Sequence, residues 1–181
     1  MFKALKPAIL MLLWVVGLCS IASPATAAVE ISFYSRELGG NNFPHAFITL
    51  SGRPESGGPQ VDSSFGFTVK SLSPAVLMGP VGGMLINEPP SYVAKSDRQF
   101  SLTLTDAQYN AVVATIEEWR SKPQPSYNLN RANCVHFVAD AAEAIGLKVS
   151  RRPELMKKPR SFLLAVKADN ADLLQTNRLN A

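Results

Sequence analysis

The chain has 181 residues, with 18 Lys and Arg against 14 Asp and Glu and only two cysteines. That length supports one ordinary domain around a single core. The small, scattered positive charge lacks the concentrated basic stripe of a nucleic-acid binder, so no nucleic-acid partner is expected.

Lys3 and Lys6 are the only charges before Glu30. They precede an apolar run from Ala8 to Ala22, and Ala25-Thr26-Ala27 supplies an A-x-A cleavage pattern. A charged start, a short apolar middle and small residues at the cut describe a secretory signal peptide. The run is shorter than the roughly 20 residues that span a bilayer comfortably. Residues 1–27 are therefore expected to be a cleaved leader. Residues 28–181 are expected to be a single periplasmic or secreted domain with no membrane span. Cleavage removes two Lys and no acid, which lowers the net charge from +4 to +2. The later cluster Arg151, Arg152, Lys157, Lys158 and Arg160 is interrupted by Pro153 and Pro159 and reads as a solvated loop.

Val29 to Tyr34 alternates as a strand, and Glu37 to Asn42 is a turn-rich loop. His45 to Leu50 is a short β-rich run between Pro44 and Ser51-Gly52-Arg53-Pro54. Glu55 to Pro59 reads as a hairpin loop, and Gln60 to Lys70 as the returning strand. Residues 71–95 form an irregular excursion with one short strand at Met84 to Ile86. Its glycine-rich segment, Gly79 to Gly83, lacks the Lys and Ser/Thr of a phosphate-binding loop, so no nucleotide cofactor is implied. Gln99 to Leu104 alternates as a strand, and Thr105 with Gln108 has capping-box spacing. The helix that follows buries Tyr109, Val112, Val113, Ile116 and Trp119, and ends at Lys122-Pro123-Gln124-Pro125. A second helix runs from Cys134 to Ile145, with Asn133 as N-cap and Gly146 as the stop. Its core face is Val135, Val138, Ala142 and Ile145. A third helix is expected over Ser161 to Leu174. Strands followed by helices give an α+β arrangement.

Cys19 leaves with the leader, so the exported chain keeps a single thiol, Cys134. An unpaired cysteine in an oxidising compartment is either buried and inert or retained for its reactivity. A helix start favours the second reading, because free N–H groups and the positive helix end stabilise a thiolate. A thiol nucleophile also needs a base. His136 lies two residues on and points about 200° around the helix axis, away from Cys134. His45, at the beginning of a strand, is the better base. A metal site of Cys134, His45 and His136 lacks the usual ligand spacing and nearby carboxylates, so no metal is expected.

The block Tyr127 to Val138, YNLNRANCVHFV, resembles the segment around the nucleophile in the lecithin retinol acyltransferase-like group. That group is a circular permutation of the NlpC-type, papain-like fold. Its strand-borne histidine precedes the cysteine, and N-C-x-H-F opens a helix. Pro44 to Leu50 (PHAFITL) and Asn133 to Phe137 (NCVHF) match these two short blocks, and the resemblance covers roughly residues 30–147.

The resemblance implies an antiparallel sheet packed against helices, with Cys134 as nucleophile, His45 as general base and Tyr127 lining the site. In the family a third polar residue, frequently a histidine, orients the base from the neighbouring strand. No histidine stands there in this chain. Pairing across a Ser51–Gln60 hairpin puts Asp62 and Ser64 on the face of His45. Asp62 is the preferred third residue and Ser64 the alternative. The implied activity is acyl transfer through a thioester, without a cofactor. The expected substrate is a peptidoglycan or peptide amide first and a lipid acyl ester second. A non-catalytic envelope-binding module is the competing reading.

Overall fold

In the computed structural model, residues 28–37 and 43–179 are described; the expected leader and most of the loop expected at 37–42 lie outside them. Strand β1 (Val29–Arg36) buries Val29, Ile31 and Phe33 at alternate positions, as a pleated backbone requires. It pairs antiparallel with β2 (His45–Gly52) on one side and β5 (Asp97–Leu104) on the other. Strand β3 (Val61–Val69) pairs antiparallel with β2, and β4 (Gly83–Ile86) pairs antiparallel with β3. The order across the five-stranded sheet is β4-β3-β2-β1-β5.

A short helix α1 (Pro90–Val93) follows β4, and four more follow β5: α2 (Asp106–Ser121), α3 (Cys134–Ala144), α4 (Pro159–Asp169) and α5 (Ala171–Leu179). Helix α3 packs on β2 and β3, and α4 packs on β1 and β5. Ile31, Phe33, Ile48 and Leu50 from the sheet meet Val135, Val138 and Phe162 from the helices in one core. Each such side chain contributes about 1.5–3 kcal/mol of burial. Every strand and helix of this core lies between Val29 and Leu179. Among the described residues no helix is long and apolar enough to cross a membrane.

The caps follow the expected chemistry. Thr105 and Gln108 form a capping box at α2. Asn133 caps α3, and Gly146 leaves that helix at φ 87°. The expected third helix is two helices, broken at Asn170. There the Asn170 side chain accepts from the Lys148 N–H and donates to the carbonyls of Lys148 and Val166, at 2.7–2.8 Å. One bond within the helix and two to the distant Lys148 backbone end the helix here, which apolar periodicity does not register.

Candidate active site

Asn133 fixes the start of α3. Its Oδ1 accepts from the amides of Val135 (2.8 Å) and His136 (3.2 Å). Its Nδ2 donates to the carbonyls of Leu129 and Met156, both at 2.8 Å. The side chain is buried and fully partnered, so the first turn and the sulfur of Cys134 are held in place. Two of the amides at the helix start bond to this cap, that of Val135 also lying near enough to the Cys134 sulfur to favour its charge, and the amide of Cys134 itself is the remaining donor of the first turn.

His45 opens β2. The β2–β3 ladder runs from Gly52↔Val61 to Ile48↔Phe65, short of Ala46 and His45. At that open end the Ala46 backbone and the His45 side chain lie beside the Cys134 sulfur, near enough to favour its charged form. His45 Nε2 lies 2.9 Å from Glu88 Oε1, with the two side chains only 13% and 5% exposed. Nδ1 is therefore the ring nitrogen available to the thiol. Gly66 makes room for the pair: a Cβ there would come within 2.6 Å of His45 Nε2 and 2.7 Å of Glu88 Oε1.

The electrostatics follow from this arrangement. Burial by itself would depress the His45 pKa, but its bonds to Cys134 and Glu88, and their negative charge, raise it to about 9. Burial by itself would push the Cys134 thiol up. The His45 hydrogen bond and charge, with the amides of Ala46 and Val135, bring it below the ordinary thiol value instead. Both shifts favour a thiolate beside an imidazolium.

Tyr127 reaches the site from a two-way backbone bridge with Val81, and its ring stacks on Phe67 at 5.8 Å. Burial, then the nearby Cys134 charge, raises its pKa to about 12, so its hydroxyl stays protonated. The Tyr92 ring meets His45 edge-on at 6.4 Å, and Arg36 sits 4.4 Å above that tyrosine. All these tyrosine and His–Cys groups face one cavity of about 780 Å³. Much of its remaining wall is carbon, from residues such as Phe43, Phe67, Val69, Leu72, Val76 and Ile86.

Of the residues expected from sequence, Cys134, His45 and Tyr127 meet at this cavity. Ser64 is buried beside it and donates to the backbone carbonyl of Glu88 at 2.9 Å, so it holds the acid's main chain and not the imidazole. Asp62 shares the face of His45, but it pairs with Ser51 and is exposed. Six residues of strand separate Ser51 from His45, about 20 Å of rise. The imidazole partner is Glu88, from the link between β4 and α1. Glu88 is the only acid between Asp62 and Asp97, and it sits between a short apolar strand and Pro89-Pro90. That isolation was the available signal. His136 serves the helix end: its Nδ1 accepts from the Asn133 N–H at 3.4 Å and completes a capping box. Arg151, expected in a solvated loop, forms ion pairs with Asp140 and Glu143.

Among the described residues no group of three or more His, Cys, Asp and Glu side chains is arranged to hold a metal ion. Comparisons with protein-family models, curated proteins and solved structures return no match for this chain.

Proposed function

We propose that the protein is a thiol acyl-transfer enzyme acting on substrates with an apolar acyl group, built on the permuted papain-like fold that its two sequence blocks resemble. The observation that carries this reading is the buried Cys134–His45–Glu88 relay opening into a carbon-walled cavity. Cys134 is the nucleophile, His45 the acid and base, and Glu88 a positioning residue that keeps the imidazole charged and oriented.

The thiolate attacks the acyl carbonyl carbon, and the carbonyl oxygen takes the electron pair. The Cys134 amide and the Tyr127 hydroxyl are the donors at hand for that oxygen. As the intermediate collapses, the bond to the leaving alcohol or amine breaks and His45 delivers its proton to the leaving atom. The neutral His45 then takes a proton from water, or from another acceptor hydroxyl or amine, as this attacks the thioester. Collapse expels the thiolate beside a recharged imidazolium, which restores the starting pair.

Both electrophile classes expected from sequence suit this chemistry, and the wall of the cavity favours the lipid acyl ester. A peptidoglycan stem peptide carries carboxylates and amides that need polar partners on binding. Aliphatic and aromatic carbon suits an acyl chain. Export places such a substrate in the cell envelope.

The test combines pH-dependent alkylation of Cys134 with intact-mass trapping of an acyl-enzyme from a series of acyl esters of increasing chain length. Fast alkylation well below the ordinary thiol range, a mass adduct on Cys134, and acylation that quickens with chain length are expected. An ordinary thiol profile with no adduct from any ester would sink the catalytic reading in favour of a binding module. Adducts from peptide amides alone would move the substrate to peptidoglycan.

A further inference from the structure

Apolar residues do not stop at the interior of the cavity. Leu72 and Leu77, which line it, are 64% and 78% exposed, and Phe43 at the same wall is 61% exposed. Met78 follows Leu77 in the chain and is 88% exposed. These four account for most of the exposed large hydrophobic side chains among the described residues. Three of them line the cavity that holds the nucleophile and Met78 adjoins Leu77 in the chain, whereas single exposed apolar residues scattered over a surface would need no explanation. Leu77 ends a 3₁₀ turn (Pro74–Leu77) with no buried residue, so this segment holds its apolar side chains outward and not into the core.

The segment that supplies most of this rim is one-sided in charge. From residue 63 to residue 87 the chain has no Asp or Glu, and its only charge is Lys70, which is exposed. Lys157 stands at the cavity wall, where, among the described residues, the one carboxylate is that of Glu88, buried against His45. An apolar rim with lysines at its margin suits the boundary between acyl chains and anionic headgroups.

We propose that the rim formed by Phe43, Leu72, Leu77 and Met78 docks on a phospholipid bilayer containing anionic lipid and brings the mouth of the Cys134 cavity against the membrane. The proposal rests on the acyl-ester reading and names the physical source of that substrate. A lipid would pass from bilayer to cavity along carbon, without exposing its chain to water.

The experiment uses the chain beginning at Ala28, the form expected after leader cleavage, which holds the whole core described above. Its partition is measured onto vesicles of phosphatidylcholine alone and of phosphatidylcholine mixed with phosphatidylglycerol. Wild type should bind the mixed vesicles more tightly. The double variant Leu77→Asp/Met78→Asp should bind them about tenfold more weakly or worse, which follows from losing the burial of two such side chains. The double variant should keep the circular dichroism of wild type, and Met78→Asp alone, at a residue outside the cavity lining, should keep the acylation rate on a short, water-soluble ester, which shows that the fold and the relay are intact. In a Leu77→Trp variant, the introduced indole should shift to shorter emission wavelength on binding and be quenched by brominated acyl chains.

Unchanged partition of the double variant, or an indole that brominated chains leave unquenched, would overturn the docking surface. So would a dimer that the double variant converts to monomer with vesicle binding unaffected, because the rim would then be a self-association face. Cys134→Ala separates the two readings, since it should bind vesicles like wild type. A protein that binds vesicles through this rim but forms no acyl-enzyme refutes the catalytic reading and not the surface.

Discussion

His45 reaches the start of α3 from the sheet, while His136 is part of that start. Both rings lie within the first turn's neighbourhood, yet their surroundings push them in opposite directions. His45 is enclosed with a thiol and a carboxylate, which together outweigh burial and raise its pKa to about 9. His136 is half-buried and its pKa is lowered, by burial first and then by the positive charges of Arg151 and Lys122 against the opposing pull of Asp140. At neutral pH the first ring is therefore charged and the second neutral. A charged ring can hold a thiolate and donate a proton to a leaving group, whereas a neutral ring can accept the Asn133 N–H and close a helix cap. Sequence proximity to the cysteine is no guide to which histidine serves it.

Removing each ring in turn separates the two histidines most widely. His45→Ala should lower acylation of Cys134 by about 100- to 10,000-fold, the usual worth of a positioned acid–base group. The thiol alkylation profile should also move up toward ordinary thiol behaviour, because burial then acts on Cys134 without the opposing imidazolium. Equal losses from His45→Ala and His136→Ala, each with the fold intact by circular dichroism, would end the distinction drawn here.

Glu88→Gln should cost less, because it keeps the side chain's shape and a hydrogen-bond acceptor while removing the charge. With less negative charge beside it, the imidazolium is less favoured, so the descending limb of the pH–rate profile should move below about 9. The ascending limb should move up as the thiolate loses its charged partner. The working range narrows from both sides, with a fall of about tenfold at its optimum. A profile whose two limbs stay put, whatever the rate, would reduce Glu88 to a packing role. Asp62→Asn, by contrast, should leave both limbs in place.

The contrast between Glu88 and Asp62 also marks where sequence reasoning ran out. Asn133, Cys134 and Gly146 were legible because a cap, a helix start and a helix stop are chemistry within a few residues. The strands expected at 29–34 and 99–104 were legible because burial of one face imposes a period of two, and the one at 45–50 because its β-rich run lies between breakers; each runs two residues further, to 29–36, 97–104 and 45–52. The β2–β3 parity followed from the hairpin, so Asp62 and Ser64 were rightly put on the face of His45. Parity says nothing of distance along the strand, and Asp62 is at the wrong end. Glu88 enters from an irregular segment after β4, a path fixed by tertiary contacts such as the bond from Ser64 Oγ to its carbonyl. The break at Asn170 was hidden for a similar reason, since its partner Lys148 lies 22 residues away.

The smallest expected effect tests the other half of the comparison. If His136 works as a cap, its contribution is to stability and not to rate. A lowered folded-state pKa means that the unfolded chain binds a proton more readily than the folded one as pH falls. The contribution of His136 is thus present above its ordinary value of 6.5 and is lost as pH falls through the lower folded value. Protonation also removes the Nδ1 lone pair that accepts from the Asn133 N–H and leaves an Nδ1–H facing Asn133 Oδ1 at 3.0 Å, so the bonding of the cap changes in the same range. His136→Gln keeps a side-chain acceptor at this third helical position and cannot be protonated. It should leave acylation and both pH limbs unchanged, and cost about 0.5 kcal/mol or less at pH above 6.5. Denaturant unfolding followed from neutral pH downward should then show wild type losing more stability than the variant. A wild type that parallels His136→Gln across that range would show that the ring's protonation is not linked to folding, and would leave His45 as the only histidine whose charge the fold controls.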